Sequence, residues 1–286
     1  MIEQLTIIGV GLIGGSLARA LRAAGYVQEI VGVGRSLASL QQAVALGVVD
    51  RIETSLSRAA GEADMLVLAS PVGAMPEVFA AIAPYLSANT VITDVGSVKG
   101  SISEAARVHL GAHFHRFVPG HPLAGRETSG AAASLPELFQ GQRVILTPVA
   151  ETDASALQAV DARWRAAGAE VVRMPVAEHD AILATTSHLP HLLAYALVDQ
   201  LAQAPAARRV FDYIGNGFRD MTRIAASDPV MWRDICLANR TALLQAIVGY
   251  RGQLDKLAQA IENKDGAQLE AFFTRAQAQR TGLDRK

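Results

Sequence analysis

An apolar run, Leu5-Thr6-Ile7-Ile8, leads directly into Gly9-Val10-Gly11-Leu12-Ile13-Gly14-Gly15 and then into the helix-forming stretch Ser16-Leu17-Ala18-Arg19-Ala20-Leu21. No other feature narrows what this chain can fold into as far. A Gly-x-Gly-x-x-Gly series that closes a strand and opens a helix suits a dinucleotide pyrophosphate. Gly9 permits the tight turn, Gly11 lets the backbone approach the phosphates, and Gly14 lets the helix pack on the strand. The N–H groups around Leu12 and Ile13, at the positive end of the helix dipole, then hold the anion.

Strand and helix signals alternate as far as residue 174. After a C-cap glycine at Gly25, strands are expected at 29–34, 65–69, 90–94, 116–118, 143–147 and 170–173, with helices at 36–46, 74–86, 100–110 and 153–167. That alternation is α/β and implies a Rossmann-type, doubly wound parallel sheet covered on both faces. Past Pro175 the strand signals stop and an all-α part is expected, so the division is 1–174 and 175–286. Breaks are expected near Ala204-Pro205, Gly215-Asn216-Gly217 and Ser227-Asp228-Pro229. Asp228 as N-cap and Pro229 as first helical residue open what is expected to be the longest helix. Along it Leu243, Ile247, Tyr250, Leu254, Leu257 and Ile261 recur at spacings of four and three, the pattern of a helix-on-helix seam. That seam is either a subunit interface or an ordinary core.

The balance of 26 Lys+Arg against 27 Asp+Glu gives a formal net charge of -1. It offers no general attraction for nucleic acid or an anionic membrane. Glycines, prolines and charges are expected to cut every apolar run short of membrane-spanning length. The opening residues, with Glu3 and several glycines, lack the pattern of a secretory leader. The single cysteine, Cys236, excludes an intramolecular disulfide and is expected to be buried and inert in a helix. A cytoplasmic location is therefore expected.

A carboxylate about twenty residues beyond the glycine loop usually binds the ribose hydroxyls of NAD. Here the place is taken by Gly34, followed by Arg35 and Ser36. A guanidinium and a hydroxyl without a carboxylate leave room and donors for a 2′-phosphate, so NADP is expected to be preferred over NAD. Arg35 has two other readings, a solvated surface residue or a platform for the adenine. Ligands in such sheets bind beyond the carboxyl ends of the strands. That draws attention to Ser70-Pro71-Val72, to Asp94-Val95-Gly96-Ser97-Val98-Lys99-Gly100 and to Pro119-Gly120-His121-Pro122-Leu123-Ala124-Gly125. Ser70, Pro71 and Asp94 are expected at the cofactor. His121, set between glycine and proline in an expected loop, serves no helical face, which favours function. The pairs His113-x-His115 and His188-x-x-His191 have ligand-like spacing, but neither a cysteine cluster nor a His-Glu-x-x-His pattern accompanies them, so no metal is expected. His109, His113 and His115 read as solvated residues.

Taken in order, the glycine loop, Asp94-Val95-Gly96-Ser97-Val98-Lys99, His121-Pro122-Leu123-Ala124-Gly125, Ser187-His188-Leu189-Pro190-His191 and Gly217-Phe218-Arg219-Asp220-Met221-Thr222-Arg223-Ile224-Ala225 resemble the motifs of prephenate/arogenate dehydrogenases. The resemblance spans roughly residues 5 to 240. It implies a nucleotide-binding domain, a helical dimerisation domain, a homodimer, tyrosine biosynthesis and a small-molecule substrate, arogenate or prephenate. It also leaves no expected room for a fused chorismate mutase or a regulatory domain. The implied reaction is oxidative decarboxylation of a cyclohexadienol. His121 matches the catalytic histidine, Ser97 hydrogen-bonds the substrate hydroxyl or the imidazole, and Arg223 meets the ring carboxylate with Arg219 as the lesser candidate. The pair Arg219 and Asp220 also reads as solvated charge. His188 and His191 share a helix face and one or both line the substrate pocket, although Pro190 suggests that the helix begins there. Trp232 reads as a pocket wall or a core anchor, and Glu127 as a carboxylate favouring the ammonium of arogenate.

Two alternatives stand beside this reading. A β-hydroxyacid or imine dehydrogenase joins the same two kinds of domain but relies on a lysine in the helical half, and no lysine occurs between Lys99 and Lys256. A silent NADP-binding sensor would need no base at His121.

Overall fold

The computed structural model describes residues 1–126, 128–205 and 207–283. In chain order the elements are β1 (Ile2–Ile8), α1 (Leu12–Ala23), β2 (Val27–Val33), α2 (Leu37–Ala45), β3 (Arg51–Glu53), α3 (Leu56–Gly61), β4 (Met65–Leu68), α4 (Met75–Ile82), β5 (Val91–Asp94), α5 (Gly100–Leu110), β6 (Phe117–Val118), β7 (Gly120–Pro122), β8 (Arg143–Leu146), α6 (Ala154–Ala166) and β9 (Glu170–Arg173). Helices follow: α7 (Val176–Leu183), α8 (Leu189–Ala202), α9 (Ala207–Phe211), α10 (Asn216–Thr222), α11 (Pro229–Ala238), α12 (Arg240–Glu262) and α13 (Gly266–Leu283). The short strand β3 and helix α3 have little periodicity of their own and were not legible in the sequence.

Six strands make a parallel sheet in the order β3-β2-β1-β4-β5-β6. The order reverses between β1 and β4, which opens the crevice where dinucleotides bind in such sheets. Alternation along the strands separates two cores. Leu5, Ile7, Met65 and Val67 pack with Leu17, Leu21, Val160 and Trp164 on one face. Ile8, Leu66 and Leu68 pack with Phe79, Ile82, Ala106 and Leu110 on the other. The strands at 143–146 and 170–173 do not extend this sheet. They join β7 in a second one, β7-β8-β9, with β7 antiparallel and β9 parallel to β8. The cause lies at Pro119. It has no N–H for a ladder, and its carbonyl instead accepts from Thr147 N–H at 3.0 Å, turning the chain out of β6 and into β7.

The apolar segment after Pro175 departs from expectation. Val176–Ala202 is one continuous helix of 27 residues, long and apolar enough by length and composition to cross a membrane. Pro190 does not begin it. A π turn, Ala184–His188, interrupts the α ladder just before α8, and Pro190 sits in α8's first turn. A missing N–H is tolerated where the ladder changes register. The helix expected from Pro229 is also two helices. Asp228 caps α11 as expected, accepting Met231 N–H at 2.7 Å, but Asn239 (φ -102, ψ 32) ends that helix. Among the described residues α12, at 23 residues, is then the longest stretch of uninterrupted α-helix, shorter than the π-interrupted helix Val176–Ala202.

By internal contacts the chain falls into two compact units, Met1–Arg240 and Thr241–Lys286. Along α12 Leu243 is buried, Ile247, Tyr250 and Leu257 are half-buried, and Leu254 and Ile261 are exposed.

The glycine loop gives a paired prediction. A Cβ on Gly14 would lie 2.5 Å from Gly9 O and 2.8 Å from Ile7 Cγ2, whereas one on Gly11 meets nothing within 4 Å. Gly14→Ala is expected to lower stability by about 1–3 kcal/mol. Gly11→Ala should stay within about 0.5 kcal/mol of the parent in denaturant titrations while weakening dinucleotide binding.

Candidate active site

At the carboxyl end of β1, Gly9 adopts φ +101, and a Cβ there would lie 2.5 Å from Ala69 O at the end of β4. Helix α1 has no side-chain cap, so the N–H groups of Leu12, Ile13 and Gly14 are left without intrahelical acceptors beside the open face of Gly11. Unpaired donors over an uncluttered glycine fit a pyrophosphate. Ser70 and Pro71 adjoin this loop, with Ser70 N 3.0 Å from the position of a Gly9 Cβ. Gly34, Arg35 and Ser36 are exposed at the end of β2. Ser36 also caps α2, its Oγ accepting Ser39 N–H at 3.2 Å.

Asp94, expected at the cofactor, is engaged by the protein's own donors. It is fully buried. One oxygen, Oδ2, accepts from Gly96 N–H at 2.8 Å and from the Lys99 ammonium, and Oδ1 accepts from Gly120 N–H at 3.2 Å. Three hydrogen bonds from the protein itself thus engage that carboxylate. Lys99, equally buried, also donates to Gly120 O at 2.7 Å. Burial lowers its pKa, against the opposing pull of Asp94. The pair latches the loop after β5 to the residue before His121.

His121 is not in a loop. It occupies the middle of β7, opposite Ile145 of β8, and is 8% exposed. Its Nδ1 meets His179 Nε2 at 2.9 Å, and His179 Nδ1 meets Asp180 Oδ1 at 2.8 Å. Asp180 further accepts Lys99 N–H and Gly100 N–H, each at 2.8 Å, at the amino end of α5. Burial pushes the Asp180 carboxyl up, but hydrogen bonds from His179 and from these two N–H groups outweigh it and hold the pKa below the usual value. An ionised Asp180 can only accept, so a neutral His179 carries its proton on Nδ1 and accepts at Nε2. His121 then donates from Nδ1, and its Nε2 is left as a bare lone pair. Burial, with the Lys99 charge adding to it, keeps the His121 imidazole neutral well below its ordinary titration range.

Two further histidines, His188 and His191, gather around Trp232. His191 stacks on its ring at 3.7 Å between centroids, and His188 meets it edge-on at 6.1 Å. His188 is 1% exposed, and burial pushes its pKa down to about 4. His191 is half-buried, its Nδ1 2.9 Å from Ser187 O. Its pKa is lowered by burial and by the nearby Arg223 charge. Arg223 and Arg219 are exposed, one helical turn apart across α10 and the 3-10 turn that follows. Ser97 is half-buried, and among the described residues no hydrogen bond joins it to His121. Cys236 is half-buried rather than buried, its thiol pKa raised by burial. Glu127 lies outside the described residues.

His179, Asp180, Lys99 and Asn239 were missed from sequence. The adjacent polar pair His179-Asp180 within an apolar helical run was a usable signal, since such a pair costs too much to bury without partners. Asn239 gave none.

A dinucleotide cradle at the switch point, with a bare imidazole nitrogen fixed beyond the neighbouring strand ends, defines a nicotinamide-dependent oxidoreductase. The family model for the prephenate dehydrogenase nucleotide-binding domain matches residues 17–173, and the model for the prephenate dehydrogenase dimerization domain matches residues 175–275. The chain belongs to the prephenate dehydrogenase family. It is 39% identical to a cyclohexadienyl dehydrogenase of Zymomonas mobilis over 98% of this chain and 96% of the relative. Its fold matches the crystal structure of prephenate dehydrogenase from A. aeolicus in complex with hydroxyphenyl propionate and NAD+ with a TM-score of 0.94, at 38% identity over 99% of both chains. It matches Synechocystis arogenate dehydrogenase with a TM-score of 0.83, at 29% identity over 98% of this chain and 99% of that one.

The buried ion pair supplies a test. Lys99→Met strands the Asp94 carboxylate and is expected to cost about 3–5 kcal/mol in denaturant titrations, while Asp94→Asn combined with Lys99→Met should recover part of that loss.

Proposed function

We propose that this chain is an NAD(P)-dependent dehydrogenase of tyrosine biosynthesis that oxidatively decarboxylates arogenate and/or prephenate, with His121 as the base. The observation that carries the reading is the bare Nε2 of His121, fixed by His179 and Asp180. The glycine loop, Ser70-Pro71 and the residues at the end of β2 would hold the dinucleotide, whose nicotinamide would accept the hydride from the carbinol carbon. His121 Nε2 takes the hydroxyl proton as the carbinol is oxidised, an effect worth about 10²–10⁴-fold. The imidazolium so formed is stabilised through His179 by the Asp180 charge. Carbon dioxide then leaves and the ring becomes aromatic.

Ser97 holds the same hydroxyl. Arg223 binds the ring carboxylate, with Arg219 as the lesser candidate, and its effect on His191 supports a place beside the pocket that His188 and His191 line. NADP is preferred over NAD, a reading supported by Gly34, Arg35 and Ser36 exposed at the end of β2 with no carboxylate among them. The division is a nucleotide-binding part, 1–174, and a helical part, 175–286, through which two copies form a homodimer. The match of the dimerization-domain model and the partly exposed apolar stripe of α12 support that assembly. Membership in a family of biosynthetic dehydrogenases supports a cytoplasmic location.

The decisive assay follows reduced cofactor with both substrates and both cofactors, and no turnover in all four combinations removes the proposal. His121→Ala should lower kcat by about 10²–10⁴-fold with dinucleotide affinity unchanged. Because the depressed pKa keeps the base free of its proton at neutral pH, kcat/KM should be flat there and fall only below pH 6.5, as His121 takes up a proton. In binding titrations NADP should be the tighter ligand, and tenfold tighter binding of NAD would overturn that preference.

A further inference from the structure

Asn239 is 4% exposed at the break between α11 and α12. Its side-chain nitrogen lies 2.8 Å from Asp180 O and 3.1 Å from His188 Nδ1. The Asp180 carbonyl can only accept, so the nitrogen and not the oxygen of the amide must face it, and that nitrogen can only donate. His188 Nδ1 is therefore an acceptor and carries no proton. A neutral imidazole with a bare Nδ1 bears its proton on Nε2. That Nε2–H is buried and has no partner among the described residues, and the same is true of the Trp232 Nε1–H on the neighbouring ring. An unpaired buried donor costs about 1–3 kcal/mol, and native structures leave few of them. Two on adjoining rings call for an acceptor that binds there.

We propose that Asn239 is a positioning residue that fixes His188 as its Nε2–H tautomer, so that His188 and Trp232 form a pair of uncharged donors for a carbonyl or carboxylate oxygen of the substrate. The substrate class rests on the function proposed above; the tautomer does not. Asn239 also ties the two ends of the site together. Its amide holds the backbone of Asp180, whose carboxylate orients the His121 chain, and with the same nitrogen sets the proton of His188. An uncharged donor adds no positive charge beside His121, whose base role requires it to accept a proton during the reaction. His188 affects His121 in that sense, since charge on His188 would depress His121 further.

The test uses the full chain with ¹⁵N-labelled histidine rings. Long-range proton–nitrogen spectra of the ligand-free protein at pH 7 should show His188 protonated at Nε2 and bare at Nδ1. In Asn239→Leu the lock is gone, and the Nδ1-protonated form should appear. Trp232→Phe, which keeps a ring but loses the N–H, should leave the His188 tautomer as it is. Both variants should raise KM for the cyclohexadienol about tenfold, Trp232→Phe with kcat within about threefold of the parent, as expected for a contact made equally before and during reaction, and Asn239→Leu with a lower kcat as well, since it also releases the backbone of Asp180. KM for the dinucleotide should not move. A wild-type His188 protonated at Nδ1, or an Asn239→Leu protein that keeps the Nε2–H form alone, overturns the positioning role. A changed tautomer with KM unaltered in both variants overturns the recognition role, leaving ordered water as the acceptor. Absence of turnover in the parent would instead remove the proposed substrate class, and the spectra would still decide what Asn239 does.

Discussion

The carboxylate of Asp180 is the point on which the site depends. It accepts two N–H groups at the amino end of α5 and the Nδ1–H of His179, while its own carbonyl is held by Asn239. A helix N-terminus stabilises a negative charge there, and the charge in turn fixes the proton on His179. Gly100 is the residue that makes this approach possible, since a Cβ there would lie 2.7 Å from Asp180 Oδ2. One anion thereby joins α5, a helix between two strands of the parallel sheet, to α7, the helix that follows the second sheet, and both to His121.

A second buried charge serves a different purpose. Asp94 and Lys99 are both fully buried, and each also takes part in bonds with backbone groups. Burying such a pair gives little net stability, but breaking it is costly, so it acts as a latch rather than as a source of folding energy. What it holds is Gly120, and with it the strand that carries His121. Asp94, expected from the sequence at the cofactor, has this role in the folded chain. The carboxylate shapes the loop after β5 and bears on His121 through the backbone it holds.

Much of the first half was legible in the sequence because short-range periodicity carries it. The strands at 65–68 and 91–94 alternate between two apolar cores, the helices at 37–45, 100–110 and 154–166 fall where expected, and the glycine loop lies at the switch point its pattern requires. The failures share a cause. β7 is three residues long and exists because β8 is there to pair with it. The helix from Val176 to Ala202 runs through Asp180 and Pro190 because a π turn and tertiary partners absorb a buried charge and a missing donor. Asn239 ends a helix whose local signals would continue it, and its side chain is bound instead to residues far away in the sequence.

The sequence alone determined what depends on neighbours along the chain: the strand–glycine–helix unit, the alternation of a parallel α/β fold, the capped start of α11, and His121 as a histidine with no helical face to serve. Tertiary structure decided which groups touch. His121 and His179 are 58 positions apart, and Lys99 meets Asp180 across 81. No periodicity records such pairs, because hydrogen bonds between side chains are fixed by where the elements pack and not by the residues on either side. The proton positions on His121 and His188 follow from those partners, so they too became readable only in the folded chain.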